Sequence, residues 1–419
     1  MTITVFSGGA GCGKTYQLMY KLAETIAATP PKAGQKVLAL TFMHGARRRL
    51  DEQLAAVPGL ARRYECTTLD SFASRIVRRW QSLAIQLGAR VPAETEYDDM
   101  VAVAAILLAN REVVLWVKTS FPILVLDEAQ DLTRSRLAIV QSLATELTSL
   151  IAADEFQCLE PALRPNPAWE WLKEQKDHIA LDKPLRTSVS ALLDAASALR
   201  SGLRIQTGRG FSISCTPKPP MAGGFLNTYI AGLKGRGLAV ITPTFKNYSD
   251  SVVAWTSTRS NARGLGPYPI KWEQSETRMV EEALAAITLP NNATPAQARH
   301  ALSAVGDIAL SRDLMTWFDR LARTRNAPVI TKEALEERIQ IICANRRRFQ
   351  PPLARGIKAM SVHGAKNREF ENVVVLWPAA VTGDDDQKRR LLYNAITRAK
   401  SECLVLVQLQ KHLNEPPFA

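Results

Sequence analysis

The chain of 419 residues is short of the residues that staple a fold or hold it around a metal. Its six cysteines (Cys12, Cys66, Cys158, Cys215, Cys343 and Cys403) form no CxxC pair, and five scattered histidines add no ligand cluster. These shortages argue against a disulfide framework and a zinc site, and make a reducing, cytoplasmic compartment the expectation. No uninterrupted apolar run reaches the ~20 residues of a spanning helix, so no membrane partner is expected. Acids are also in deficit. Forty Asp and Glu face 53 Lys and Arg, a formal net charge of +13. Such a surplus points to a polyanionic partner, because Lys and Arg that neutralise phosphates release counterions. What the chain does have is ordinary globular material, 46% hydrophobic and 22% charged.

Short apolar segments alternate with stretches of helical periodicity. Thr2–Phe6 reads as a strand and Gly8–Lys14 as a loop. From Thr15 the residues Leu18, Met19, Leu22, Ala23, Ile26 and Ala27 mark a helix, closed by Pro30-Pro31. Val37–Thr41, Glu65–Thr68, Ile123–Leu126 and Leu150–Ala153 are further strands. A second series follows at Ile179–Leu181, Ala239–Thr242, Val373–Leu376 and Leu404–Val407. The alternation predicts an α/β fold with parallel sheets covered on both faces. Two lobes are expected, 1–175 with a short helical insertion at 73–120, and 176–419 with a mostly helical insertion at about 250–350. Within that insertion, Met279–Ile287 and Leu314–Ala322 carry helical patterns, whereas the Gly/Pro/Ser-rich stretch Arg200–Gly237 reads as loops.

Gly8-Gly9-Ala10-Gly11-Cys12-Gly13-Lys14-Thr15 fits the G-x-x-x-x-G-K-[ST] pattern between a predicted strand and a predicted helix. The glycines let backbone N–H groups turn around phosphate oxygens, and the helix presents its positive dipole end at the same place. Lys14 is the expected contact to the β/γ-phosphates and Thr15 the hydroxyl for Mg²⁺. The second half of such a site is Pro122-Ile-Leu-Val-Leu-Asp127-Glu128-Ala-Gln130-Asp131. An apolar strand delivers two adjacent acids to its C-terminal end. Asp127 is the expected metal carboxylate and Glu128 the group that orients or deprotonates the attacking water. A nucleoside triphosphate, ATP or another, with Mg²⁺ is therefore the expected cofactor pair. Three basic stretches, Arg47–Arg49, Arg75/Arg78/Arg79 and Arg346–Arg348, read equally as phosphate contacts or solvated helix faces, and Phe42 and Trp80 are candidate stacking platforms for single-stranded nucleic acid.

These motifs and their order resemble superfamily 1 helicases of the UvrD/Rep type. Asp127-Glu-Ala-Gln-Asp131 is similar to that family's DEAQD/DEYQD signature. Leu40-Thr41-Phe42-Met-His-Gly-Ala46 resembles TFTNKAA, and Thr67-Thr68-Leu-Asp-Ser71-Phe72-Ala resembles TFHSFA. Asp154-Glu-Phe-Gln157 matches D-x-x-Q, and Pro184-Leu-Arg186-Thr-Ser188 resembles NYRS. Val362-His363-Gly-Ala-Lys366-Asn-Arg-Glu369-Phe370 is similar to IHSAKGLEF, and Tyr393-Asn-Ala-Ile-Thr397-Arg398-Ala-Lys400 to YVALTRAK. The resemblance implies two RecA-like lobes with the nucleotide between them. It implies that Gln157 senses the γ-phosphate, that Arg186 and Arg398 act as arginine fingers, and that Glu369 bonds the ribose. It places Thr41, Phe42, Thr68, Ser71, His363 and Lys366 along a nucleic-acid track.

Several positions depart from the family pattern. The P-loop begins at Gly8, with no room before it for the family's Gln-containing adenine motif. The Tyr of NYR is Leu185, the Arg after G-K-T is Tyr16, and the Gly after the Lys of the IHSAKG segment is Asn367. The altered adenine contacts imply relaxed base choice, with Tyr16 available to stack on the base. After Gln157 the run Cys-Leu-Glu-Pro-Ala-Leu-Arg lacks the family's stacking aromatic, for which Trp169 or Trp171 is a candidate substitute. The insertions in both lobes are short for the family. The resulting expectation is a compact DNA-stimulated ATPase acting as a 3′-to-5′ single-stranded DNA translocase or helicase, on single-stranded or tailed duplex DNA. The alternative is a nucleotide-gated regulatory subunit that binds DNA and switches a partner protein with little unwinding of its own.

Overall fold

The computed structural model describes residues 2–42, 44–92, 96–233, 235, 237–244, 247–273, 283–287, 293–303, 308–324, 335, 338–339, 342 and 356–419. It divides into two compact units, residues 1–272 with 355–419, and residues 273–354.

The first unit opens with β1 (Ile3–Gly8), α1 (Lys14–Ala28), β2 (Val37–Thr41), α2 (His44–Ala55), β3 (Tyr64–Thr68) and α3 (Leu69–Arg79). Three helices follow, α4 (Gln81–Gln86), α5 (Tyr97–Leu108) and α6 (Arg111–Ser120). Then come β4 (Ile123–Leu126), α7 (Arg134–Ala144), β5 (Thr148–Ala153), α8 (Pro167–Lys173) and β6 (Asp177–Leu181). The six strands form one parallel sheet in the order β3-β2-β4-β5-β1-β6. Alternate residues feed opposite faces. Leu38, Leu40, Leu124, Leu126 and Ile151 pack under α3, α5 and α7. Val37, Ala39, Val125 and Leu150 pack with Leu18, Leu22 and Ile26 of α1 and Leu50 and Leu54 of α2. Both faces are thus apolar, as parallel sheets require.

A second sheet is built from α9 (Ser190–Ser201), β7 (Phe211–Cys215), α10 (Pro219–Gly232), β8 (Leu238–Thr242), α11 (Tyr248–Thr258) and β9 (Ile270–Trp272). The other unit, described by itself, holds α12 (Pro295–Ser303) and α13 (Ile308–Thr324), whose Ala298, Leu302, Leu310, Leu314 and Phe318 share a small core with Leu335, Ile339 and Ile342. The chain then adds β10 (Ile357–Ser361), β11 (Phe370–Trp377), α14 (Asp385–Ile396) and β12 (Ala399–Val407) to the second sheet. Its order is β7-β12-β11-β8-β10-β9, again all parallel. The α/β class and the two parallel sheets agree with the sequence reading. No single helix among the described residues is long and apolar enough to cross a membrane.

Two boundaries and one loop reading differ from those made on the sequence. β6 pairs with β1 (Val5↔His178), so the first sheet extends beyond residue 175. The helical insertion starts at Glu273, not near 250, because Val252 and Val253 of α11 and Ile270 of β9 belong to the second sheet's core. The stretch Arg200–Gly237 contains β7 and α10 and is not a run of loops. Its prolines sit at the start of α10, where the missing N–H costs nothing. Its Gly223 lets α11 approach, since a Cβ there would lie 2.1 Å from the Trp255 ring. Arg346–Arg348 and Met279 to residue 282 lie outside the described residues.

Candidate active site

Open parallel sheets place ligands at the carboxyl ends of their strands. In the first sheet those ends carry the P-loop after β1, Asp127 and Glu128 after β4, and Asp154 after β5. The second sheet contributes from the amino ends of its strands. Glu369 immediately precedes β11 and Arg398 immediately precedes β12. Arg186 sits ahead of α9.

The P-loop is shaped for an anion. Gly11 and Gly13 hold φ of 79° and 77°, a left-handed geometry that strains residues with a Cβ. A Cβ on Gly11 would also lie 2.7 Å from the Arg186 Cβ. The reason is that Leu185 N and Arg186 N both donate to Gly11 O, at 2.7 and 3.2 Å. Lys14 is buried and donates to Gly8 O (3.0 Å) and Gly9 O (2.9 Å), so its ammonium curls over the loop. The Thr15 hydroxyl donates to Asp127 Oδ2 at 3.0 Å. Asp127 is pushed up to about 6 by burial first and the Glu128 charge second. Glu128 itself adopts φ 62°, ψ 40°, a strained conformation for a side-chain-bearing residue, and accepts from Gln130 Nε2.

Opposite these acids stands Arg398, 2% exposed, donating to Asn394 O (2.9 Å) and Gln157 Oε1 (3.2 Å). Burial and then the Arg186 charge press its guanidinium down to about 10. No carboxylate among the described residues forms an ion pair with it. Arg186 instead donates to Glu369 Oε1 (3.1 Å) and Thr397 O (2.7 Å). Glu369 also takes Arg49 at 2.7 Å and Lys400 at 3.1 Å. Burial opposes its charge, but Arg186, Arg49 and Lys400 hold the carboxyl at about 2.

One cleft of about 290 Å³ collects these groups. Gly11, Gly13, Lys14, Thr15, Asp127, Glu128, Gln157, Arg186, Glu369 and Arg398 all line it. Tyr16 and Leu185, both more than 60% exposed, line it as well. Gln53 completes the wall, and its buried Oε1 accepts no hydrogen bond. An acceptor left without a donor is costly, and a ligand donor would relieve it. The site fits the cofactors expected. Thr15 and Asp127 form the pair that would hold Mg²⁺, Glu128 crowds a second negative charge beside Asp127, and the loop offers its ammonium and backbone to phosphates.

Residues that the sequence reading left without a role tie the cleft together. Arg200 donates to the buried Asp154 at 2.7 Å and to the Tyr393 hydroxyl at 3.2 Å. That hydroxyl accepts the Ala10 N–H at 2.7 Å, which joins α14 to the P-loop. Gly9 and Cys12 lie against the same hydroxyl and Lys14.

The residues expected on the nucleic-acid track are divided. Thr41 and Thr68 are register neighbours at the ends of β2 and β3, and both are buried. Thr68 caps α3 by accepting from Ser71 N at 3.2 Å, while its own hydroxyl donates to Ser71 Oγ at 2.8 Å. Phe42 is half-buried with the Arg136 guanidinium 5.4 Å from its ring centre. His363 is exposed. Lys366 is held by both oxygens of Asp131 at 2.8 Å. Asn367 holds φ 60°, so it keeps the left-handed turn that the family's glycine would make. Trp80 packs edge-on to Trp116, and Trp169 and Trp171 pack against the first sheet's core. Arg75 is engaged by Glu65.

Comparison with known families agrees with this geometry. Residues 2–92 match the UvrD/REP helicase N-terminal domain, and residues 356–406 match the UvrD-like helicase C-terminal domain. No curated protein matches the chain significantly. The first match carries the phosphate loop and the second carries Glu369 and Arg398. Two segments of the chain thus match domains of UvrD/Rep-type helicases, which supports a helicase-type enzyme that hydrolyses a nucleoside triphosphate.

Proposed function

We propose that the protein hydrolyses ATP with Mg²⁺ under stimulation by single-stranded DNA, and uses the cycle to move 3′ to 5′ and open tailed duplexes. The observation that carries the reading is the shared cleft. Lys14, Thr15, Asp127, Glu128 and Gln157 from one sheet face Arg186, Glu369 and Arg398 from the other. The polarity rests on the family resemblance.

In this reading Lys14 and the loop amides bind the β/γ-phosphates, and Thr15 and Asp127 hold the metal. Bound there, Mg²⁺ would neutralise charge on the phosphate oxygens. Glu128 takes the proton of the attacking water. Arg398 forms no ion pair with a carboxylate among the described residues and is ready to meet charge that develops on the γ-phosphate. Arg186 must exchange Glu369 for phosphate, and Glu369 then becomes available to a ribose hydroxyl. Gln157 bonds Arg398, so nucleotide state and finger position are read together. Base choice is read as loose, since Tyr16, Leu185 and the single acceptor of Gln53 are the base-facing candidates in the cleft.

Steady-state ATPase with and without single-stranded DNA, beside strand displacement on 3′- and 5′-tailed duplexes, tests the proposal. Strong stimulation and opening of the 3′-tailed duplex are expected. Lys14→Ala and Arg398→Ala should each lower turnover by about three orders of magnitude or more. Opening of the 5′-tailed duplex alone would reverse the polarity. Turnover without any strand opening would favour the regulatory-subunit reading, and full activity in Arg398→Ala would remove the finger.

A further inference from the structure

Asp154 directly follows β5, with its side chain fully enclosed. Two cations face it, Arg200 at 2.7 Å and Lys14 at 3.8 Å. Neutral donors complete its shell. Gln157 Nε2 lies at 2.8 Å, Phe156 N at 3.2 Å and the Tyr393 hydroxyl at 3.3 Å. Arg200 is the closer cation, and it is wedged by aromatic rings. Its guanidinium carbon lies 5.4 Å from the Phe156 ring centre and 5.5 Å from that of Tyr393.

We propose that Arg200 is a positioning residue for Lys14: by neutralising Asp154 it keeps the P-loop ammonium free to serve nucleotide phosphates. The inference rests on the nucleotide-hydrolysing reading of the cleft and adds a residue that no motif marks. The argument is one of charge balance. A buried carboxylate without a cation is strongly disfavoured, so Asp154 must hold at least one. With Arg200 in place, two positive groups meet one negative group, and one unit of positive charge remains for the anion in the loop. Without Arg200, Asp154 and Lys14 neutralise each other, and the ammonium is drawn from 3.8 Å toward a direct pair, away from the phosphates. The 2.7 Å hydrogen bond and the flanking rings explain why Arg200 rather than Lys14 is the partner Asp154 keeps.

The test uses the full chain, Mg-ATP turnover with single-stranded DNA, and titration with a fluorescent ADP analogue. R200Q should raise KM for ATP and Kd for the analogue about tenfold or more, with kcat falling less than about threefold. R200K, which keeps the charge, should stay within about threefold of the parent in KM. R200Q/D154N removes both charges, returns the balance to one spare positive unit, and should recover most of the lost nucleotide affinity. Unchanged KM in R200Q overturns the proposal. A loss of kcat and thermal midpoint together, not repaired by D154N, also overturns it, by assigning Arg200 a purely structural part. If the parent protein neither binds the analogue nor hydrolyses ATP, the nucleotide reading itself falls, and that outcome is distinct from a parent that is active and an R200Q variant that equals it.

Discussion

Asp127 shows how strongly one side chain's chemistry depends on its neighbours. Its carboxyl lies at about 6, raised by burial and then by Glu128. An acid whose folded pKa exceeds its ordinary value binds its proton more tightly in the fold. Ionised Asp127 therefore lowers stability above pH ~6, and the penalty fades as the pH falls toward the ordinary value. Cation binding needs the ionised form, so Mg²⁺-dependent nucleotide binding should weaken as the pH falls through about 6. Glu128→Gln should shift that midpoint downward, which a fluorescent-nucleotide titration against Mg²⁺ at several pH values would show. A midpoint that stays put in Glu128→Gln would refute the coupling. At this scale the loop at Gly8–Thr15 and the pair Asp127 and Glu128, which the cleft brings together, were legible, because their spacing is dictated by local backbone geometry. Arg200 and Gln53 were not. A basic residue in the last turn of α9 reads as an ordinary helix-end charge, and its partner Asp154 is 46 positions away.

Between elements, the turn after β4 and the loop after β10 are bolted together by Asp131 and Lys366, each only 10–11% exposed. The resemblance put Lys366 on the nucleic-acid track, whereas its ammonium is spent on the acid two residues past Ala129. Lys366→Ala leaves Asp131 enclosed without a cation and should cost about 3–5 kcal/mol of stability. Lys366→Met with Asp131→Asn should recover much of it. Denaturant midpoints check this, and a Lys366→Ala variant of unchanged stability but weaker DNA binding would restore the track assignment. Helices and strands were legible from period and caps wherever the glycines marked turns. The reading failed at α10, whose Gly223 serves close packing against Trp255 rather than a turn. It read the strand at Ile179–Leu181 but placed it in the second series, because an edge strand with no buried residue carries no mark of the sheet it joins.

For the whole molecule, the second unit interrupts the chain between β9 and β10, two strands that pair in parallel (Ile270↔Ile357). Parallel neighbours need a crossover, and residues 273–354 supply it. Replacing them with a flexible linker of about twelve residues should preserve ATP hydrolysis, whereas a linker of about two residues should release β9 from the sheet edge. Turnover and thermal melting of the two deletions would decide, and equal behaviour would show that β9 contributes nothing to the lobe. The two-sheet architecture was visible in the alternation of apolar runs. The boundaries were not, since strand pairing across long separations leaves no local mark.

The second sheet offers Glu369 and Arg398 from the starts of its strands, while the first offers its loop and acids from the ends of its own. Each group is anchored to a stiff ladder instead of a free loop. Such a cleft behaves like two combs meshing. In the proposed cycle its charges would arrive at the phosphate in synchrony, and a tug on either sheet from outside would withdraw them all in a single stroke.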